Sequence, residues 1–145
     1  MKAKDIMPGD LFRVNKDVCI KKGTIVRVVS VDTTNKFPEK GLEGSAGCVD
    51  ITDCINNGGV WVAFLDPIPL TAEILNKNGF IATPLIDLGI EYCSEVYKLN
   101  VVCRRNDEGW TIYANHFGFD KKDLYVHELQ HALRLCGIDK TIEII

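Results

Sequence analysis

Thr24-Ile25-Val26-Arg27-Val28-Val29-Ser30-Val31 is a run dominated by β-branched residues, whose side chains sit most easily on a pleated strand. Its flanks repeat the signal. Lys21-Lys22-Gly23 turns into it from Val18-Cys19-Ile20, and Gly9-Asp10 opens a further short strand at Leu11-Phe12-Arg13-Val14. Downstream, Cys48-Val49-Asp50-Ile51-Thr52 alternates apolar and polar, and Asn56-Asn57-Gly58-Gly59 supplies a hairpin turn. Val60-Trp61-Val62-Ala63-Phe64 then completes a set of about five short strands. The stretch from Thr33 to Ala46, with Pro38, Gly41 and Gly44, has no apolar periodicity and reads as a long exposed loop. Short strands joined by tight turns predict a small, partly open SH3-like β-barrel over residues 1–70.

Pro67-Ile68-Pro69-Leu70 is a stiff connector into a second lobe, residues 71–145, of mixed α+β character. Thr71 caps a short helix, Ala72 to Asn78, that stops at Gly79. Ile81 to Glu91 is apolar but interrupted by Pro84 and Gly89, and its periodicity assigns it to neither state. Val96 to Arg104 and Trp110 to Ala114 read as a β-hairpin across Asn106-Asp107-Glu108-Gly109. Asp120 or Asp123 caps a final amphipathic helix, Leu124 to Cys136, which ends at Gly137 before an apolar tail, Ile142 to Ile145, suited to an edge strand. Trp61, Trp110, Tyr113 and Tyr125 are expected in the core.

A chain of 145 residues, 46% hydrophobic and 26% charged, is long enough to bury a core without disulfides or metal. The net charge of −3 gives no global basic face, and only Lys21, Lys22 and Arg27 form a local one, so nucleic acid is not the favoured partner. No apolar stretch is long enough to span a bilayer, and Met1-Lys2-Ala3-Lys4-Asp5 leads into Pro8-Gly9-Asp10 rather than a signal-peptide core, so a cytoplasmic location is expected. Six cysteines without any Cys-x-x-Cys spacing are expected as reduced, buried thiols.

One motif carries chemistry. His127-Glu128-Leu129-Gln130-His131 on a helix sets two imidazoles one turn apart, the arrangement in which both ligate zinc while the Glu acts as general base on a bound water. A catalytic zinc needs a third protein ligand, and the donors available are His116, in the Asn115-His116-Phe117-Gly118 turn, or the late acids Asp139 and Glu143. Helical periodicity argues against a covered site. Val126, Leu129, Ala132, Leu133 and Cys136 form an apolar stripe, while His127, Gln130, His131 and Arg134 share an opposite face expected in solvent, with Arg134 opposing a dication.

Asp66-Pro67-Ile68-Pro69-Leu70-Thr71, Ile74-Leu75, Asn78-Gly79-Phe80 and the closing Tyr125-Val126-His127-x-Leu129-Gln130 resemble a family of small uncharacterised proteins from gut anaerobic bacteria and their phages. The resemblance spans most of the chain. In that family the closing motif commonly reads Tyr-Val-His-x-Leu-Gln-Asn, with Asn where this chain has His131, which implies a similar fold without a zinc motif and a phage or mobile-element setting. No nucleophile elbow, phosphate loop or dinucleotide fingerprint is present. The expectation is a non-enzymatic binding or adaptor protein, its partner another protein, with no cofactor. The alternatives are a minimal zinc hydrolase of peptidase type built on His127, Glu128 and His131 with His116 or a late acid as third ligand, and a nucleic-acid-binding barrel.

Overall fold

Among the residues described, 5–17, 20–32, 48–51 and 60–144, the computed structural model holds ten strands and two α-helices, an α+β architecture dominated by antiparallel sheet. The chain divides into two units, residues 1–68 and 69–145.

In the first unit β1 (Leu11–Val14), β2 (Ile25–Asp32), β3 (Cys48–Ile51), β4 (Val60–Trp61) and β5 (Leu65–Pro67) form one sheet in the order β4-β3-β2-β1-β5. Alternation sets its faces. Phe12 and Val14 on β1 and Val26 and Val28 on β2 are buried, while Arg13 and Arg27 between them are exposed. The buried set joins Ile6, Ile20, Val62 and Leu65 in one apolar cluster. β2 pairs with β1 through Ile25–Arg27 and with β3 from Val28 onward, and the register shifts between Val28 and Ser30. Such a bulge bends a strand and increases its twist, which lets one strand serve two ladders.

Val60 to Phe64 is not one strand. β4 ends at Trp61 and Val62–Phe64 is a turn of 3₁₀ helix. Asn15 explains the change: its side-chain amide donates to the Ala63 carbonyl (3.1 Å) and to Asp66 Oδ1 (2.8 Å), while its N–H donates to the Phe64 carbonyl (2.9 Å). These bonds steer the chain into β5, antiparallel to β1. No ladder joins β4 to β5 among the described residues, so the sheet is open rather than a closed barrel. The expected loop from Thr33 to Ala46 and the turn at Asn56–Gly59 lie outside the described residues, as does the side chain of Trp61.

In the second unit Thr71 caps α1 (Ala72–Lys77), its Oγ1 accepting the Ile74 N–H at 3.3 Å. The helix closes with paired bonds from Gly79 N–H to the Asn76 carbonyl and from Phe80 N–H to the Leu75 carbonyl. Five strands then follow as a meander: β6 (Ile81–Leu85), β7 (Gly89–Ser94), β8 (Leu99–Arg104), β9 (Trp110–Ala114) and β10 (Phe117–Lys121), each beside its sequence neighbour. The ambiguous run from Ile81 is thus a hairpin. Pro84 is tolerated because β6 is an edge strand. Gly89, at φ 133°, is required because a Cβ there would collide with the Cys103 carbonyl oxygen.

The hairpin from Val96 begins three residues late. Val96 lies in the turn, 82% exposed, and β8 starts at Leu99. Asp120 belongs to β10, an unanticipated strand, and neither Asp120 nor Asp123 caps the last helix, α2 (Val126–Leu135). Tyr125 occupies the cap position, and Glu128 reaches back to accept its N–H at 3.1 Å. α2 ends at Gly137 with the same pair of bonds as α1, Gly137 to Arg134 and Ile138 to Leu133.

One face of the meander is buried through Tyr92, Leu99, Val101 and Ile112, with Tyr92, Val101 and Ile112 aligned across β7, β8 and β9. α2 buries Val126, Leu129, Ala132 and Leu133, and also His127 and Gln130, so the helix face expected in solvent is partly covered. No strand forms in the tail up to Ile144. The buried Asn78 holds it instead: its amide donates to the Ile74 and Glu143 carbonyls (2.8 and 2.9 Å) and its oxygen accepts the Glu143 N–H (2.9 Å). Ile142 is buried beside this clamp. No described helix is long and apolar enough to cross a membrane.

Candidate functional site

Antiparallel register places alternate side chains of the meander on its second face, the one opposite Tyr92, Val101 and Ile112. Glu91 on β7 aligns with Val102 on β8, Val102 with Thr111 on β9, and Thr111 with Asp120 on β10, while Asn100 aligns with Tyr113. Two polar networks follow. Asn100 donates its amide to Glu91 Oε1 (3.2 Å) and to the Tyr113 hydroxyl oxygen (3.0 Å), and the Tyr113 hydroxyl donates to the same Glu91 carboxylate. Arg104 donates from Nε and Nη2 to Thr111 Oγ1 (3.1 and 2.7 Å), Thr111 donates to Asp120 Oδ1 (2.7 Å), and Arg104 forms an ion pair with Asp120.

These contacts tune the groups they join. The Asp120 carboxyl is held below its ordinary value, first by the Thr111 hydrogen bond and then by the Arg104 hydrogen bond and charge. For Tyr113 the Asn100 bond pulls the phenol down, yet the Glu91 hydrogen bond, burial and the charges of Glu91 and Cys93 outweigh it and raise the value. Burial, followed by Glu91, raises the Cys93 thiol; burial, followed by Asp107, raises Cys103. Neither is an activated thiolate. Among the described residues Cys93, Cys103 and Cys136 carry free thiols and are half-buried rather than fully buried.

A cleft of about 470 Å³ opens on this face between the β6–β7 turn and the turn after β8. Leu85, Leu88 and Val102 supply its apolar lining, Tyr113 and Thr111 its polar wall, and Arg104, Arg105, Asp87 and Glu108 its charges. Arg105 and Asp87 face each other at 3.8 Å, both largely exposed, and the Arg105 N–H donates to the Leu88 carbonyl (3.2 Å). A second groove, about 280 Å³, runs past Lys98, Asn100 and Asn115 on the far side of Tyr113. Tyr113, 37% exposed, is therefore a wall of the open face and not a core residue, and Trp110 is only half-buried.

His127 and His131 do come together on α2, ring centroids 5.7 Å apart and edge to face, with Tyr125 stacked on His127 at 6.0 Å. Glu128 turns elsewhere. One carboxylate oxygen accepts the Tyr125 N–H and the other pairs with Lys121, so the candidate base serves the start of its own helix. His116 sits exposed in the β9–β10 turn, and among the described residues no three His, Cys, Asp or Glu side chains gather as a metal site. Lys21, Lys22 and Arg27 are all exposed, Lys21 and Lys22 before β2 and Arg27 within it.

Neither polar network was singled out from sequence. The available signal was the two-residue spacing of Asn100 and Arg104 around Val102, and of Thr111 and Tyr113, within the expected hairpin. Chemically the face offers donors and acceptors already oriented by their neighbours, beside an apolar slot. Comparison of the chain with protein-family models, curated proteins and solved structures returns no match.

Proposed function

We propose that this protein is a non-enzymatic binding or adaptor module that docks another protein on the open face of its C-terminal sheet. The observation that carries the reading is the cleft beside Tyr113, where an apolar lining adjoins charges paired with one another rather than aimed at a reacting centre. Protonated Cys93 and Cys103 and the engagement of Glu128 with Tyr125 and Lys121 support binding over catalysis. For the N-terminal unit, five short antiparallel strands, a long β2 bent at a bulge and a 3₁₀ turn before β5 support an SH3-like barrel, a scaffold whose loops carry recognition.

The test is affinity capture with the wild-type chain and with a Val102→Glu, Tyr113→Ala double variant of equal thermal stability. A protein retained by the first and released by the second is the expected result. Turnover of a substrate by the purified chain, abolished by Glu128→Gln, would overturn the reading.

The competing zinc hydrolase draws on the proximity of His127 and His131. Elemental analysis of protein purified without added metal or chelator decides it: near-stoichiometric zinc that disappears in His131→Asn supports the hydrolase, and no zinc in either protein removes it.

A further inference from the structure

The β6–β7 hairpin exposes four large apolar side chains, Ile81 (68%), Ile86 (88%), Leu88 (64%) and Ile90 (41%), whereas the rest of the unit exposes only Val96, Tyr113 and Leu135 to a comparable degree among the described residues. Alternation puts Ile90 on the face of Tyr92 and Ile81 on the open face, so the apolar surface beside the cleft is the tip, Ile86 with Leu85 and Leu88; single exposed apolar residues are ordinary and such a cluster is not. Sheet edges are usually guarded by charge. The opposite edge strand, β10, carries Asp120 and Lys121, both engaged in ion pairs; β6 has no charged residue. Pro84, however, removes a backbone donor from β6, which argues against a partner adding a strand there.

The tip of the hairpin is a better fit. Ile86 projects next to Asp87, and Asp87 faces Arg105 across the mouth of the cleft lined by Leu85, Leu88 and Val102. Protruding apolar residue, receiving slot, anion and cation thus lie side by side on one surface. A patch holding both halves of a complementary contact is satisfied by a second copy related by a two-fold axis.

We infer that two copies of this chain associate by exchanging β6–β7 tips: Ile86 of each copy enters the cleft of the other, and Asp87 of each pairs with Arg105 of the other. The exposed intrachain pair is weak enough to be exchanged. Two tips and two slots make a small interface, so the dimer is weak and reversible. This rests on the open-face reading for its surface and adds the identity of one partner.

Sedimentation equilibrium of the full chain across a concentration series, for wild type, Ile86→Asp, Asp87→Asn, Arg105→Gln and the double Asp87→Asn, Arg105→Gln, tests it. The expected result is a reversible dimer that Ile86→Asp weakens by about a hundredfold, because two buried isoleucines are lost together. Each charge variant weakens it less, and the double variant no more than either single. Asn tolerates the positive φ of Asp87 (65°), and Ile86 makes little contact within its own chain, so fold is preserved in both. A monomer at every concentration, or a dimer unmoved by Ile86→Asp, overturns the exchange. Either result leaves the hetero-partner capture with Val102→Glu, Tyr113→Ala to decide the open-face reading by itself.

Discussion

Among the described residues the two sheets have five strands each and differ in a single pairing. In the C-terminal sheet every strand lies beside its sequence neighbour, so each pairing is closed by a short turn. The N-terminal sheet has the order β4-β3-β2-β1-β5, and its last pairing brings β5 back to the first strand, with Asn15 bonded to Asp66 51 residues away. Short turns carry their own instructions in a few residues; a long return is held only by what it buries. The difference predicts that the first sheet depends most on its core and the second on its turns and one long-range tie.

The largest effect should come from Phe12→Ala, which empties the centre of the N-terminal cluster at a residue with no exposed surface. A loss of about 3–5 kcal/mol is expected from denaturant titration, with hydrogen-exchange protection falling across β1, β2 and β5. Protection lost first in β3 alone would break the comparison. Next is Gly89→Ala, at a positive φ and against the Cys103 carbonyl, expected to cost about 2–3 kcal/mol and to loosen the β6–β7 hairpin first. An unchanged melting temperature would show that this turn does not organise the meander.

Asn78→Ala probes the exception to local wiring, a buried amide that ties α1 to Glu143 65 residues away. Leaving two carbonyls and one N–H without that partner should cost about 1–3 kcal/mol and raise protease sensitivity after Lys140. The smallest effect is electrostatic. The Asp120 carboxyl lies below its ordinary 3.8, so its contribution is complete above that pH and is lost as the pH falls through the lowered folded value. Asp120→Asn should therefore flatten only the acid limb of the stability profile, and a change confined to neutral pH would point to a packing role.

Much of the secondary structure is legible locally. Thr71 starts α1, and the glycines at 79 and 137 stop both helices because backbone capping acts over four or five residues. The strands at Leu11, Ile25, Cys48 and Trp110 follow from β-branched or alternating runs. β10 was missed because Asp120 and Asp123 resemble helix caps, and only pairing with β9 reveals that Asp120 answers Thr111 and Arg104. Glu128 shows the same limit. Its spacing from His127 and His131 describes a zinc enzyme's base, yet a carboxylate takes the role set by the groups that reach it, here the Tyr125 N–H and Lys121.

The sequence alone therefore determined the α+β class, several of the short turn-bounded strands, the start of α1 and the C-terminal stops of both helices, since all of these arise from steric and hydrogen-bonding preferences among neighbours along the chain. Tertiary structure decided the return of β5 to β1, the holding of the tail by Asn78, the covering of His127 and Gln130 and the joining of Glu91, Asn100 and Tyr113 into one surface. The physical reason is that loop-closure entropy changes slowly with loop length, so no local pattern names a distant partner; burial and register choose it.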